Sequence, residues 1–122
     1  MRVRAVDFVG VPVQDMATSQ AFYRDTLGLR PLHEAEGWAE YDAGNITVSL
    51  FVEDGQKGEP SLRNALLAFA VADVAAAVAE LRAKGSQVLQ DTEEYPPCFM
   101  ATVTDPSGNA IMLHQRKDGT AG

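Results

Sequence analysis

The apolar positions of this chain change period in the same order twice. In residues 3–13, Val9, Val11 and Val13 fall on one side of an extended backbone, and Val6, Phe8 and Gly10 on the other. The spacing then turns helical: from Asp15, the residues Phe22, Tyr23, Thr26 and Leu27 form one apolar stripe, and Gly28 is placed to end the helix. Strands are predicted at 30–36, 37–43 and 46–53, with Asp42-Ala43-Gly44-Asn45 as the turn before the last. That last run, Ile46-Thr47-Val48-Ser49-Leu50-Phe51-Val52, is rich in β-branched residues.

Residues 54–63 are polar and carry Gly and Pro, so they read as a linker. The pattern then restarts. Ala65 to Val71 alternates Leu67, Phe69 and Val71 against Leu66, Ala68 and Ala70, and Asp73 opens a helix through Val74, Val78 and Leu81 that Gly85 stops. Strands are expected near 86–91, 98–104 and 109–115. Val13 and Asp15 answer to Val71 and Asp73, and Gly44-Asn45 to Gly108-Asn109, which makes the chain two β-α-β-β-β repeats, about 3–53 and about 64–116.

Composition narrows the function classes. A chain of 122 residues is the length of one domain with room for a core. No apolar run reaches the roughly 20 residues of a membrane helix, and Met1-Arg2-Val3-Arg4 is not followed by a signal-peptide core. The formal charge of −7 speaks against nucleic acid, which needs a basic face. Acidity mainly confers solubility, and it also favours cationic ligands. A single cysteine, Cys98, forms no internal disulfide, so a cytoplasmic location is expected. No Ser-His-Asp arrangement, phosphate-cradling glycine loop or CxxC pair is present.

Two motifs carry a family resemblance. The turn and strand Asp105-Pro106-Ser107-Gly108-Asn109-Ala110-Ile111-Met112-Leu113 and the helix end Phe22-Tyr23-Arg24-Asp25-Thr26-Leu27-Gly28-Leu29 resemble the vicinal oxygen chelate superfamily of glyoxalase I, bleomycin resistance proteins and extradiol dioxygenases. The resemblance spans roughly residues 3–116 and implies a single α+β domain over 1–122. Its two repeats would form a cupped mixed β-sheet with the helices on the outer face. Val9, Val11, Val13, Val48, Leu50, Leu67, Phe69, Val71, Ile111 and Leu113 are then expected to face the helices. Phe8, Thr47, Ser49, Phe51, Leu66, Ala68, Ala70, Met112 and His114 are expected to line the cup.

Metal-dependent members hold a divalent ion in that cup. Carried over residue by residue, the ligand positions fall on Phe8, Ser49, Leu66 and Met112, none of which is an imidazole or carboxylate. Neighbouring residues offer nothing better: Asp7 points toward the helix layer by parity, and His114 lies two residues beyond Met112. The expectation is therefore no metal and no cofactor, and a pocket for an apolar or cationic small molecule, as in bleomycin-resistance-like proteins that sequester a drug at a dimer interface. A homodimer is expected, since a second copy would cover the open cup and sheet edges. The alternatives are a divergent lyase, isomerase or dioxygenase using relocated ligands or His114 as acid–base, and a structural or regulatory subunit whose cup is filled by its own side chains.

Other residues bear on the site. Trp38, Glu40 and Asp42 share one strand face, where Trp38 is either a stacking wall with Glu40 as a cation partner or a core or dimer contact. His33, among Leu32, Glu34 and Glu36, reads as solvated. Cys98 reads as structural or incidental, since Glu93 and Glu94 oppose a thiolate. Tyr95-Pro96-Pro97 reads as a loop over the cup entrance.

Overall fold

The computed structural model describes residues 2, 7–52 and 67–122. The expected linker and the start of the expected fifth strand, including Leu66, lie outside the described residues. The chain divides into two compact units, Met1–Glu59 and Pro60–Gly122.

The first unit is built from β1 (Phe8–Val13), α1 (Met16–Ala21), β2 (Arg30–Glu34), β3 (Trp38–Asp42) and β4 (Thr47–Val52). Its sheet has the order β1-β4-β3-β2, with β1 parallel to β4 and the remaining pairs antiparallel. Asp15 caps α1 by accepting the Thr18 N–H at 3.1 Å, the side-chain bond that a helix start needs. From Phe22 to Thr26 the helix widens into a π-helical turn, closed by the Leu27 N–H on the Phe22 carbonyl at 2.9 Å. The wider turn buries both Phe22 and Tyr23, whose rings meet edge to face at 5.3 Å. Gly28 then takes φ +75°, the left-handed conformation expected where a helix ends.

One face of this sheet is core. Val11, Val13, Ala39, Tyr41, Val48 and Leu50 are buried there, and Tyr41 stacks on Tyr23 with ring centroids 6.3 Å apart. Tyr41 also donates to Glu34 at 2.6 Å, and Arg24 from the π-helical turn reaches the same carboxylate at 2.9 Å. Burial, and then the Glu34 carboxylate, hold the Tyr41 hydroxyl protonated well above the ordinary phenol range.

The second unit repeats the plan with β5 (Leu67–Ala70), α2 (Val74–Ala83), β6 (Val88–Tyr95), β7 (Cys98–Thr104) and β8 (Ala110–Arg116). The strand order is β5-β8-β7-β6, with β5 parallel to β8. Asp73 caps α2 through the Ala76 N–H at 3.0 Å. Val74, Val78 and Leu81 on α2 are buried, as are Ala101, Val103, Ile111 and Leu113 on the strands. The fold is α+β, two β-α-β-β-β repeats, as the periodicity implied.

Two expectations need correction. β6 extends to Tyr95 and pairs directly with Cys98, so Pro96-Pro97 is a two-residue hairpin turn and Tyr95 belongs to a strand rather than a loop. The glycines of the two turns are also not equivalent. Register aligns Thr47 with Ala110 as the first residue of each closing strand, so Asp42 matches Asp105 and Gly44 matches Ser107. The shared device is the aspartate: Asp42 accepts the Gly44 N–H at 2.7 Å and Asp105 the Ser107 N–H at 2.9 Å. Asp105 is buried and also holds the Asn109 N–H and side-chain amide, both at 2.8 Å.

Candidate functional site

The face of the first sheet opposite its core carries the site residues in three rows across the strands. Register places His33, Glu40, Ser49 and Gly10 side by side in the middle row. Trp38, Phe51 and Pro12 form the row on one side, and Asp42, Thr47 and Phe8 the row on the other. Neighbouring rows are two residues apart along each strand, about 7 Å. The middle row is low at Ser49 and Gly10, and the flanking rows carry the rings. The Trp38 and Phe51 rings lean from their row over Ser49 and Gly10, and this aromatic face of the sheet is called the trough.

Phe8 is 58% and Trp38 45% exposed, high values for side chains that lose so much by facing water. Phe51 is half-buried, and its Cε1 lies 3.2 Å from where a Cβ on Gly10 would stand, so the ring leans over a strand that has no side chain to oppose it. The Trp38 indole is held from both sides of β3. Its Nε1–H donates to Ser49 Oγ on β4 at 3.1 Å, and its ring meets His33 on β2 with centroids 4.1 Å apart and planes inclined by 37°. Ser49 itself is buried. Glu40 is half-buried beside both partners. Asp42 is engaged by Arg30 at 2.7 Å, and the Gly44 N–H, then that guanidinium, hold its carboxyl below the usual carboxylate range.

His33 does more here than its sequence context suggested. Strict alternation from Pro31, which faces Tyr41, would set His33 opposite Ala39 on the core side. A bulge between Pro31 and His33 inserts one residue, so His33 faces Glu40 and the trough, while Glu34 turns to Tyr41 and the core. Bulges leave no mark in hydrophobic periodicity, and the only available signal was Pro31 itself, a residue that strands tolerate at edges and irregularities.

In the second unit the corresponding face holds Ala68, Ala70, Met100, Thr102, Met112 and His114 in register. Met112 and His114 are half-buried, and the His114 carbonyl accepts the Val71 N–H at 2.9 Å. Cys98 is buried. Lys117 ties the turn end of the β6–β7 hairpin through Glu94 at 2.6 Å and lies over the Phe99 ring at 5.1 Å.

Of the four positions that the family resemblance assigns to metal ligands, three are described. Phe8 has no lone pair, Ser49 is committed to the indole N–H, and Met112 offers only a thioether. Among the described residues no three His, Cys, Asp or Glu side chains gather as a metal-binding group. Among the described residues, Phe8, Ser49 and Met112 do not make a donor set that fits a first-row divalent ion. Among the described residues no helix is long and apolar enough to cross a membrane.

Comparison with known proteins gives the family. The chain is similar to TnmS3, an antibiotic binding protein from Streptomyces sp. CB03234, with 28% identity over 96% of this chain and 99% of that one and a TM-score of 0.77. It shares its fold with a glyoxalase-related enzyme from Fulvimarina pelagi at 20% identity, covering 98% of each chain, TM-score 0.78. It likewise shares its fold with lactoylglutathione lyase from Agrobacterium tumefaciens at 19% identity, covering 94% of this chain and 96% of that, TM-score 0.75. No curated protein sequence matches significantly. The model of the Glyoxalase/Bleomycin resistance protein/Dioxygenase superfamily matches residues 5–113, and the chain belongs to that superfamily.

Proposed function

We propose that this protein binds and sequesters a small aromatic or cationic molecule, such as an antibiotic, and performs no metal-dependent chemistry on it. The observation that carries this reading is the trough of the first sheet, where Trp38 and Phe8 stand exposed on the face that also holds Phe51 and Glu40. Exposed aromatic rings stack a planar ligand and stabilise a positive charge, and Glu40 supplies the counter-charge. Phe8, Ser49 and Met112 support the metal-free part, because they stand where catalysis in the family would need imidazole or carboxylate. Likeness to an antibiotic binding protein points the same way. On this reading Met112 and His114 form a separate candidate binding face on the second repeat, and the protein acts in the cytoplasm as a homodimer.

The test has two arms. Incubation with Ni²⁺, Zn²⁺, Mn²⁺ and Fe²⁺ followed by elemental analysis is expected to leave far less than one ion per chain. A panel of planar aromatic cations is expected to raise the melting temperature without being consumed. Stoichiometric metal, or turnover of a bound compound, would replace sequestration by catalysis and make Asp7, His33 and His114 the residues to mutate.

A further inference from the structure

We infer that Ser49 is a positioning residue that fixes the Trp38 indole as a rigid wall, so that the trough selects planar aromatic ligands over flexible apolar ones. The inference rests on the reading of this face as a ligand site. Ser49 occupies a strand position where metal-binding relatives place a ligand, yet its hydroxyl is buried and accepts the Trp38 Nε1–H at 3.1 Å. The indole reaches diagonally from β3 to this acceptor on β4, while His33 on β2 contacts its ring at 4.1 Å. Both partners are register neighbours of Glu40, so the ring is held over the row that forms the trough floor. A tryptophan that is 45% exposed would otherwise sample several rotamers, and a flat ligand would have to order it on binding. With Nε1 hydrogen-bonded and the tilted His33 ring against the indole, that ordering is complete before the ligand arrives. A preset flat wall rewards a flat ligand. A flexible apolar molecule gains less from it, because it adapts to either state of the wall.

Trp38 is the only tryptophan in the chain, so its emission reports the wall directly. In the ligand-free protein, Ser49→Ala should lower the fluorescence anisotropy of Trp38, and Ser49→Thr, which keeps the hydroxyl, should restore it. His33→Ala, which alters an exposed residue, should lower it too and covers the case in which Ser49→Ala does not fold. Proflavine serves as the planar probe and hexyltrimethylammonium as the flexible one. Ser49→Ala should weaken proflavine binding about tenfold, the scale of one lost hydrogen bond, and leave hexyltrimethylammonium within about twofold. Unchanged anisotropy and unchanged proflavine affinity in Ser49→Ala would overturn the inference while leaving ligand binding intact. Equal loss of both probes would also overturn it, since Ser49 would then be supporting the sheet rather than the wall. If wild-type protein binds neither probe, selectivity and the binding reading fail together, and the anisotropy series alone decides whether Ser49 holds the indole.

Discussion

At the scale of single residues, the site and the core meet at β2, where one bulge sends His33 to the trough and Glu34 to Tyr41. The consequences can be tested separately. Tyr41→Phe removes a buried hydroxyl and its bond to Glu34, and should cost about 1 kcal/mol in urea unfolding at neutral pH. It should also change the alkaline limb. Because the folded protein holds the Tyr41 hydroxyl protonated above its ordinary value of 10.0, its contribution is complete below that pH and is lost as pH rises past it. Wild-type stability is therefore expected to fall above pH 10 more steeply than that of Tyr41→Phe, measured by the denaturation midpoint against pH. In the second unit, Asp105→Ala strips three donors of their acceptor at a buried turn and should cost on the order of 2 kcal/mol. Phe8→Ala should leave stability nearly unchanged, since the ring is 58% exposed, and should weaken ligand binding severalfold by titration calorimetry. If Phe8→Ala unfolds the protein instead, the ring is core and the trough is misassigned.

At the scale of elements, most of what the fold needs is written in the sequence. Alternation set the faces of β1, β4 and β8, and the buried sets Val11, Val13, Val48, Leu50, Ile111 and Leu113 fall on the core faces as their spacing implied. Asp15 and Asp73 mark both helix starts because a side-chain acceptor there has a defined partner three residues on. The departures have physical reasons. The π-helical turn at Phe22–Thr26 follows from burying two adjacent rings, Phe22 and Tyr23, which no helical stripe foretells. The length of β6 was hidden by its polar residues, because an edge strand with Glu93 and Glu94 exposed reads as loop. The trough itself was half legible. Parity places Phe8, Ser49 and Phe51 on one face, whereas the Trp38–Ser49 and Trp38–His33 contacts are diagonal and depend on register and on the bulge. Gly10 belongs to the same scale: in Gly10→Ala the new methyl would stand 3.2 Å from Phe51 Cε1 and must displace that ring. Reduced proflavine affinity with a smaller loss of melting temperature is the expected result.

At the scale of the whole molecule, superfamily membership and the β-α-β-β-β repeats describe a scaffold on which several chemistries have been built, so the fold alone does not select among them. The proposed function rests on the pairing of an acidic chain with an aromatic face. A formal charge of −7 raises the local concentration of cations, so proflavine affinity should decline as salt rises from about 10 to 150 mM, across the range where the screening length drops from roughly 30 to 8 Å. A salt-independent affinity would assign the binding to stacking alone. The most direct measurement is the melting temperature of wild type and Trp38→Ala, each with and without saturating proflavine, followed by circular dichroism. The account predicts a rise of several degrees for wild type and little or none for Trp38→Ala. An equal rise in both proteins would place the ligand away from the trough, and no rise in wild type would contradict the proposed function itself.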